Sequence, residues 1–253
     1  MSGVIGVPCN DAARYSFFAA SLTGLVAPVN TQVRWAMGSD RIRGRNRIVK
    51  ESLAAGSEWV MFIDDDQAFG AQLINRLLSH EKPIVASLYL QRTPPFGPIA
   101  YTHREDDDKT YRQVFLHDYP VNHGLLEVRA AGTGGMLIRS EVFHALVDQG
   151  LCEDGVWFKD GEASEDLTFC EKAGEAGFPI YVDLQARLGH CTTSIIWPSV
   201  HEDTWTVGAQ ISQSFEAQFP IMTREEIAEE DAAKHAATNG GTESEAERLR
   251  RLR

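Results

Sequence analysis

The stretch Trp59-Val60-Met61-Phe62-Ile63-Asp64-Asp65-Asp66 joins five consecutive apolar residues to three carboxylates. A short, continuously apolar run of this kind is typical of a strand that is buried on both faces of a parallel sheet. The carboxylates follow directly, so we expect them at the carboxyl edge of that sheet, where open α/β folds bind their ligands. These residues therefore predict both the fold class and the place of a functional site.

The sequence on either side of this stretch alternates between short apolar runs and amphipathic segments. This alternation predicts an α/β fold with a mainly parallel sheet flanked by helices. Besides residues 59–63, the predicted strands are 4–7, 84–90, 136–138 and 179–182, and the predicted helices are 12–25, 43–55, 72–78, 140–147 and 164–176.

Two regions depart from the alternation. Residues 91–128 contain Pro94, Pro95 and Pro98 and an acidic tract at 105–108, which indicates a functional loop or an inserted hairpin. Residues 223–253 contain no aromatic residue and are rich in Ala, Glu and Arg, which indicates a charged tail that is helical or disordered. The predicted organisation is one domain over residues 1–222, followed by that tail.

The composition limits the classes of partner. The 253 residues are 43% hydrophobic and carry a formal net charge of −12, so bulk charge does not favour adhesion to polyphosphate or anionic membranes. The longest uncharged stretch, residues 15–33, is too polar to span a bilayer, and we predict no membrane insertion. No secretion signal is visible. The four cysteines form no C-x-x-C pair, so reduced thiols and a cytoplasmic location are expected: Cys9, Cys152, Cys170 and Cys191.

The triple aspartate has two interpretations. Two carboxylates about 4 Å apart repel each other by roughly 4 kcal/mol at an effective dielectric constant near 20. Such a cluster therefore favours a bound cation or a raised pKa, and hard oxygen ligands suit Mg²⁺ or Mn²⁺. The alternative is a turn that is rich in Asp because Asp accepts turn hydrogen bonds. The apolar strand before the cluster favours the metal site.

The segment FIDDDQAF (residues 62–69) resembles the D-x-D motif of GT-A fold glycosyltransferases, close to family 2 and to the small stand-alone enzymes of bacteriophages. The resemblance implies a Rossmann-like, mainly parallel sheet with a smaller acceptor-side subsheet. It also implies transfer of a hexose from a nucleotide sugar to an acceptor hydroxyl. Asp64 and Asp66 would be the outer aspartates that hold Mn²⁺ or Mg²⁺, and Asp65 would be the variable middle residue beside the donor.

Three further segments resemble donor-binding parts of that family, in the family's order. Residues 4–10 resemble the strand and turn that hold the nucleotide base, 43–47 the segment whose arginine lies near the nucleotide, and 131–138 the glycine-containing segment against the donor sugar. Each segment also has an explanation without a ligand. Residues 4–10 could be an ordinary strand and turn, 43–47 a solvated helix face, and 131–138 a tight turn into a strand. The donor contacts that the resemblance implies are Pro8, Cys9, Asn10, Arg45, Asp64, Asp65, Gly134 and Gly135.

The catalytic residues follow from two more similarities. Residues 164–170 resemble the "ED" motif, in which the Asp is the general base of inverting members; this implies Asp166, with Glu165 beside it. Acidic residues in a first helical turn are also favourable without any chemistry. Residues 187–190 resemble the "gH" segment that supplies a third metal ligand, here His190, although a lone histidine is more often an ordinary structural residue.

The expected function is that of a metal-dependent glycosyltransferase, with a retaining or an inverting outcome left open. The expected acceptor is hydroxymethylated bases of phage DNA, which would place the protein in the host cytoplasm, or otherwise a glycan. Six cations between Arg34 and Lys50 could face a phosphate backbone. The alternatives are a sugar nucleotidyltransferase, whose glycine-rich basic loop is missing after residues 4–7, and a non-catalytic nucleotide-sugar-binding module.

Overall fold

A computed structural model describes residues 2–9, 15–103, 111–161, 163–192, 195–212 and 215–229. Among the described helices are α1 (Ser16–Thr23), α2 (Arg41–Ala54), α3 (Leu73–Ser79), α4 (Ser140–Asp148) and α5 (Glu165–Glu175), with a 3₁₀ turn at Leu116–Asp118. The first strands are β1 (Gly3–Cys9), β2 (Thr31–Met37), β3 (Trp59–Ile63), β4 (Gln67–Ala68), β5 (Ile84–Leu88), β6 (Ala100–His103), β7 (Tyr111–Gln113) and β8 (Leu125–Val128). They are followed by β9 (Ala130–Ala131), β10 (Gly135–Arg139), β11 (Ile180–Arg187), β12 (Gly189–Cys191), β13 (Ile195–His201), β14 (Thr204–Ser212) and β15 (Phe215–Pro220).

The central sheet has seven strands in the order β2-β1-β3-β10-β5-β11-β8. Strands β2, β1, β3, β5 and β11 run parallel to one another, whereas β10 and β8 run antiparallel to their neighbours. A second sheet has five strands in the order β15-β14-β13-β12-β4, and all its pairings are antiparallel. The predicted α/β class is therefore confirmed: a mainly parallel sheet flanked by helices, with a smaller second sheet.

Strand β3 is buried on both faces, as its continuous apolar run predicts. Val60 and Phe62 belong to the core that contains residues of α2, α4 and α5, whereas Trp59, Met61 and Ile63 belong to the core that contains residues of α1 and α3. A strand between two helical layers has no polar face, which explains why its sequence shows no alternation.

The sequence also left strands unpredicted. Strand β2 lies at the edge of the central sheet, where Val33, Trp35 and Met37 are exposed. It was not predicted because its polar and apolar residues form no continuous apolar run. Strands β13 to β15 were not predicted either. Residues 91–128 contain the hairpin of β6 and β7, which agrees with the inserted-hairpin alternative. The first predicted helix begins at Ser16, and residues 10–14 lie outside the described residues.

Two of the sequence expectations concern the chain as a whole. No helix in the described ranges combines the length and apolarity that crossing a bilayer requires; the longest, α2, has 14 residues. All four cysteines are buried, and none of them forms a disulfide bond. Residues 224–229 are helical, and residues 230–253 of the predicted tail lie outside the described residues.

Candidate active site

The three aspartates occupy the turn between β3 and β4 at the carboxyl edge of the central sheet. The backbone N–H of Asp64 donates to the carbonyl of Gly134, at the start of β10. On the other side of the turn, β4 pairs with β12, and the N–H of Cys191 donates to the carbonyl of Asp66 at 2.7 Å. These backbone bonds bring His190 beside the aspartates, with its Nε2 atom 3.3 Å from Oδ2 of Asp66.

The orientation of His190 is determined by its other ring nitrogen. Nδ1 lies 2.8 Å from the carbonyl oxygen of Leu90, and because a carbonyl can only accept, Nδ1 carries the proton of the neutral ring. In a neutral ring the lone pair of Nε2 faces the carboxylate of Asp66, and two acceptors meet at 3.3 Å. A cation or an added proton between them removes this conflict.

The residues present fit a divalent cation at this point. Oδ1 of Asp66 is buried and has no hydrogen-bond partner among the described residues, so donors do not satisfy the negative charge of this carboxylate completely. The described residues contain no group of three or more His, Cys, Asp or Glu side chains that could hold a metal. Mg²⁺ commonly binds one or two carboxylates and completes its shell with substrate phosphates and water. Asp66 and His190 could therefore hold Mn²⁺ or Mg²⁺ together with an anionic ligand.

Asp64 faces a different partner, the guanidinium of Arg45. Arg45 Nη2 lies 3.1 Å from Asp64 Oδ1, and its Nη1 lies 2.5 Å from Glu165 Oε1 and 3.1 Å from Asp166 Oδ1. The side chain of Arg45 is only 2% exposed. Burial by itself would lower the pKa of Arg45, but the three carboxylates outweigh it and raise the pKa, so the group stays a cation. The aspartate turn and the first turn of α5 are thus joined through one buried charge.

The position of Arg45 follows from the helical period of α2. Asp40 begins the helix by accepting the N–H of Arg43 at 2.9 Å. Arg45 then shares the buried face with Ile48, Val49 and Ser52, at spacings of three, four and seven residues. The predicted contact of Arg45 with a nucleotide stays a prediction. The structure adds a second role, in which Arg45 pairs with buried carboxylates. The helical spacing of Arg45 with Ile48 and Val49 could have indicated that its side chain is buried.

The pKa of Asp64 is shifted by its surroundings. Burial raises the pKa of Asp64 to about 6, and the neighbouring Asp66 and Asp166 act in the same direction, while Arg45 opposes them. A bound cation would offset the repulsion between these carboxylates. The triple aspartate predicts either a bound cation or a raised pKa, and the pKa of Asp64 is raised.

The two acidic residues that begin α5 have different environments. Glu165 is 2% exposed, and its Oε1 lies 2.5 Å from Arg41 Nε as well as from Arg45. Asp166 is 21% exposed. Its Oδ1 accepts the hydroxyl of Thr133 at 2.7 Å, whereas its Oδ2 accepts, within the described part of the chain, only the N–H of Thr133, at 3.3 Å. Asp166 is the carboxylate of this pair that a ligand in the site can reach.

The aspartate turn borders a cavity of about 150 Å³. Its lining consists of Pro8, Cys9, Arg41, Arg45, Asp64, Asp65 and Asp66. Strand β1 and the aspartate turn therefore face the same cavity, and the contact of these residues with a donor stays a prediction. Asn10, the remaining predicted residue of this turn, lies outside the described residues.

The two predicted glycines have close neighbours where a side chain would be. A Cβ atom on Gly134 would lie 2.9 Å from the hydroxyl of Tyr89 and 3.1 Å from Oδ2 of Asp64. A Cβ atom on Gly135 would lie 2.3 Å from a methyl group of Leu188. Gly134 therefore allows the backbone to approach the site closely, whereas packing against the core requires Gly135 whatever its contact with a donor.

The structure adds site residues that the sequence analysis missed. Thr133 holds Asp166, the hydroxyl of Tyr89 accepts the N–H of Gly134 at 3.2 Å, and Arg92 Nη1 donates to Asp66 Oδ2 at 3.1 Å. Tyr89 is buried, which raises the pKa of its hydroxyl. Tyr89 and Arg92 follow β5, whose carboxyl end lies at the same edge as that of β3. Open α/β folds bind their ligands at the carboxyl ends of the strands, so the rule that predicted the position of the aspartates could also have indicated Tyr89 and Arg92.

Comparisons with known proteins concern the fold. No family model matches the sequence, and no curated protein matches it. Among solved structures, A197 from STIV is similar with a TM-score of 0.50 and 14% identity, over 79% of this chain and 90% of that chain. At this identity the similarity concerns the fold alone.

Two other solved structures are similar over part of their length. S. aureus TarS 1–349 in complex with UDP-GlcNAc has a TM-score of 0.43 and 15% identity, over 72% of this chain and 55% of that chain. GalNAc-T7 with UDP, GalNAc and Mn²⁺ has a TM-score of 0.47 and 10% identity, over 75% of this chain and 43% of that chain. This chain therefore spans about half the length of each of these two proteins.

Proposed function

We propose that this protein is a metal-dependent glycosyltransferase that moves a hexose from a nucleotide-sugar donor to an acceptor hydroxyl. The observation that carries the proposal is the approach of His190 Nε2 to Asp66 Oδ2 at 3.3 Å, while Nδ1 of the same ring lies 2.8 Å from the carbonyl oxygen of Leu90. The pairing of β4 with β12 produces this meeting, and it joins two segments that resemble the D-x-D and "gH" motifs.

The donor side of the proposal uses the aspartate turn and its cavity. Asp66 and His190 would hold Mn²⁺ or Mg²⁺, with Asp64 close by and fixed by Arg45. When bound, a divalent cation supplies positive charge for the diphosphate that leaves. The contacts with the rest of the donor are assigned to Pro8, Cys9, Asn10, Arg45, Asp64, Asp65, Gly134 and Gly135.

The acceptor side of the proposal uses Asp166. Oδ1 already accepts bonds from Thr133 and Arg45, so Oδ2, with one long bond to a backbone N–H, is the oxygen that takes the proton of an acceptor hydroxyl. This role applies if the enzyme inverts the anomeric carbon. If it retains the configuration, Asp166 orients the acceptor instead. Glu165 is enclosed by two arginines, and its role is to hold Arg45 and Arg41 in place.

For the acceptor, hydroxymethylated bases of phage DNA are the first choice and a glycan is the second. The first choice is supported by a group of exposed cations around a cavity of about 560 Å³, namely Arg43, Arg47, Lys50 and Lys159, with Asp160 as the acidic member of the lining. Clustered cations on one helix face bind phosphate backbones even in an acidic protein. The proposed location is the cytoplasm, which is the host cytoplasm for a phage protein.

The test measures the release of nucleoside diphosphate from a panel of nucleotide sugars with Mn²⁺. The acceptors are hydroxymethylated DNA, plain DNA and glycans, and the products are weighed by mass spectrometry. Asp66→Asn should abolish metal-dependent release, whereas Asp148→Asn, which removes an exposed carboxylate at the end of α4, should leave it unchanged.

Each contrary result has a definite meaning. Undiminished metal-dependent release in Asp66→Asn refutes the metal assignment. Pyrophosphate formation from a nucleoside triphosphate and a sugar phosphate indicates a nucleotidyltransferase. Binding of a nucleotide sugar with neither reaction indicates a non-catalytic module.

A further inference from the structure

The segment that follows β5 contacts both residues of the proposed metal site. The carbonyl of Leu90 accepts from Nδ1 of His190, and two residues later Arg92 Nη1 lies 3.1 Å from Oδ2 of Asp66. Arg92 belongs to the loop of residues 91–97. Its two ends are joined by a β-bridge between Leu90 and Pro98 and by a hydrogen bond from Gln91 N–H to the carbonyl of Gly97 at 2.9 Å. Arg92 is therefore held near the site by a short, closed loop.

Arg92 and a divalent cation would use the same carboxylate oxygen. Oδ2 of Asp66 accepts from Arg92 and also faces Nε2 of His190. A divalent cation bound by Asp66 and His190 would repel a guanidinium at that distance, so the two positive groups exclude each other. The side chain of Arg92 is 46% exposed, which leaves space for it to move away without disturbing the core.

The displaced guanidinium would lie beside the anion that accompanies the metal. Arginine binds phosphate oxygens through two parallel N–H donors, and such charge-assisted bonds are stronger than neutral ones. An exposed arginine at the rim of a site for a metal and a diphosphate can therefore exchange a carboxylate for a phosphate at little cost.

We propose that Arg92 is the counter-ion of Asp66 in the metal-free protein and binds the diphosphate once a divalent cation has taken its place. This inference rests on the proposed function, because it needs the metal site at Asp66 and His190. It makes metal binding and diphosphate binding mutually dependent through one residue. Metal alone must displace Arg92, whereas metal with diphosphate gives Arg92 a new partner.

The test measures the binding of Mn²⁺ to the full chain by the loss of the free Mn²⁺ signal in electron paramagnetic resonance. Titrations are made with Mn²⁺ alone and with Mn²⁺ plus inorganic pyrophosphate, which stands in for the diphosphate. The variant is Arg92→Gln. The matched control is Arg112→Gln, which makes the same change of charge at a guanidinium that stacks on Phe115, 4.8 Å from the ring centroid.

We expect Arg92→Gln to bind Mn²⁺ alone about two- to fivefold more tightly than the unchanged protein, the range expected for loss of an exposed ion pair. The gain in Mn²⁺ affinity that pyrophosphate produces should be smaller in Arg92→Gln than in the unchanged protein. Arg112→Gln should behave like the unchanged protein in both titrations.

Other results separate the inference from the proposed function. If Arg92→Gln and Arg112→Gln give the same Mn²⁺ affinity while Asp66→Asn abolishes binding, the metal site stands and the role of Arg92 is refuted. An undiminished effect of pyrophosphate in Arg92→Gln refutes the diphosphate contact. If Asp66→Asn binds Mn²⁺ as well as the unchanged protein does, the proposed metal site fails, and the inference fails with it.

Discussion

Replacing Arg45 should destabilise the protein strongly, because this residue is the common partner of three carboxylates. Its side chain is 2% exposed and lies within 3.1 Å of oxygens of Asp64, Glu165 and Asp166. Arg45→Met keeps most of the apolar length but leaves these carboxylates without their shared cation. Removal of one partner from a buried ion pair costs about 3–5 kcal/mol. For a chain of this size each kcal/mol lowers the Tm by roughly 2–4 °C, so we expect a decrease of about 6–20 °C.

The measurement is urea and thermal unfolding followed by circular dichroism. Arg45→Lys keeps the charge but loses the planar fork, so its free energy of unfolding should lie between those of Arg45→Met and the unchanged protein. The matched control is Arg34→Met. Arg34 pairs with Glu51 at 3.4 Å with the two side chains 30% and 48% exposed, and loss of such a pair costs about 1 kcal/mol or less. If Arg45→Met costs no more than Arg34→Met, the carboxylates do not depend on Arg45 and our account of the site is wrong.

Three further predictions concern single contacts. Thr133→Val removes the hydroxyl that donates to Asp166 at 2.7 Å, and we expect turnover to fall about tenfold with donor binding unchanged, measured by steady-state kinetics and a binding titration. Burial would raise the pKa of Asp183, but hydrogen bonds from Arg76 and His80 lower it below its usual value, so this carboxylate stabilises the fold above pH 4 and less as the pH falls through its folded pKa. Asp183→Asn should therefore lower the free energy of unfolding by about 2 kcal/mol at pH 7, and a deficit that does not shrink in urea titrations below about pH 4 would contradict this. Gly135→Ala should cost about 1–3 kcal/mol in the same assay because the added Cβ would lie 2.3 Å from a core methyl group, while Gly24→Ala, whose Cβ would have no neighbour closer than 3.5 Å, should change little.

The parts of the fold that the sequence predicts are those that depend on neighbouring residues. Residues 59–63 are apolar without interruption because β3 is covered on both faces, and the aspartates follow because the chain leaves the core at that point. Strand β10, which inserts antiparallel between β3 and β5, was predicted only as a strand. Its direction and position are decided by backbone bonds to distant residues, which leave no local pattern.

The sequence by itself determined that carboxylates stand at the carboxyl edge of a two-sided sheet, because burial and the strand period act within a few residues. Only the tertiary structure decided which groups meet these carboxylates. The pairing of β4 with β12 places His190 against Asp66, and the buried face of α2 directs Arg45 to Asp64 and to Glu165 of α5. Hydrogen bonds and charges act over a few ångströms in space, and the residues that they join here are between 19 and 124 positions apart in the chain, a separation over which sequence periodicity carries no information.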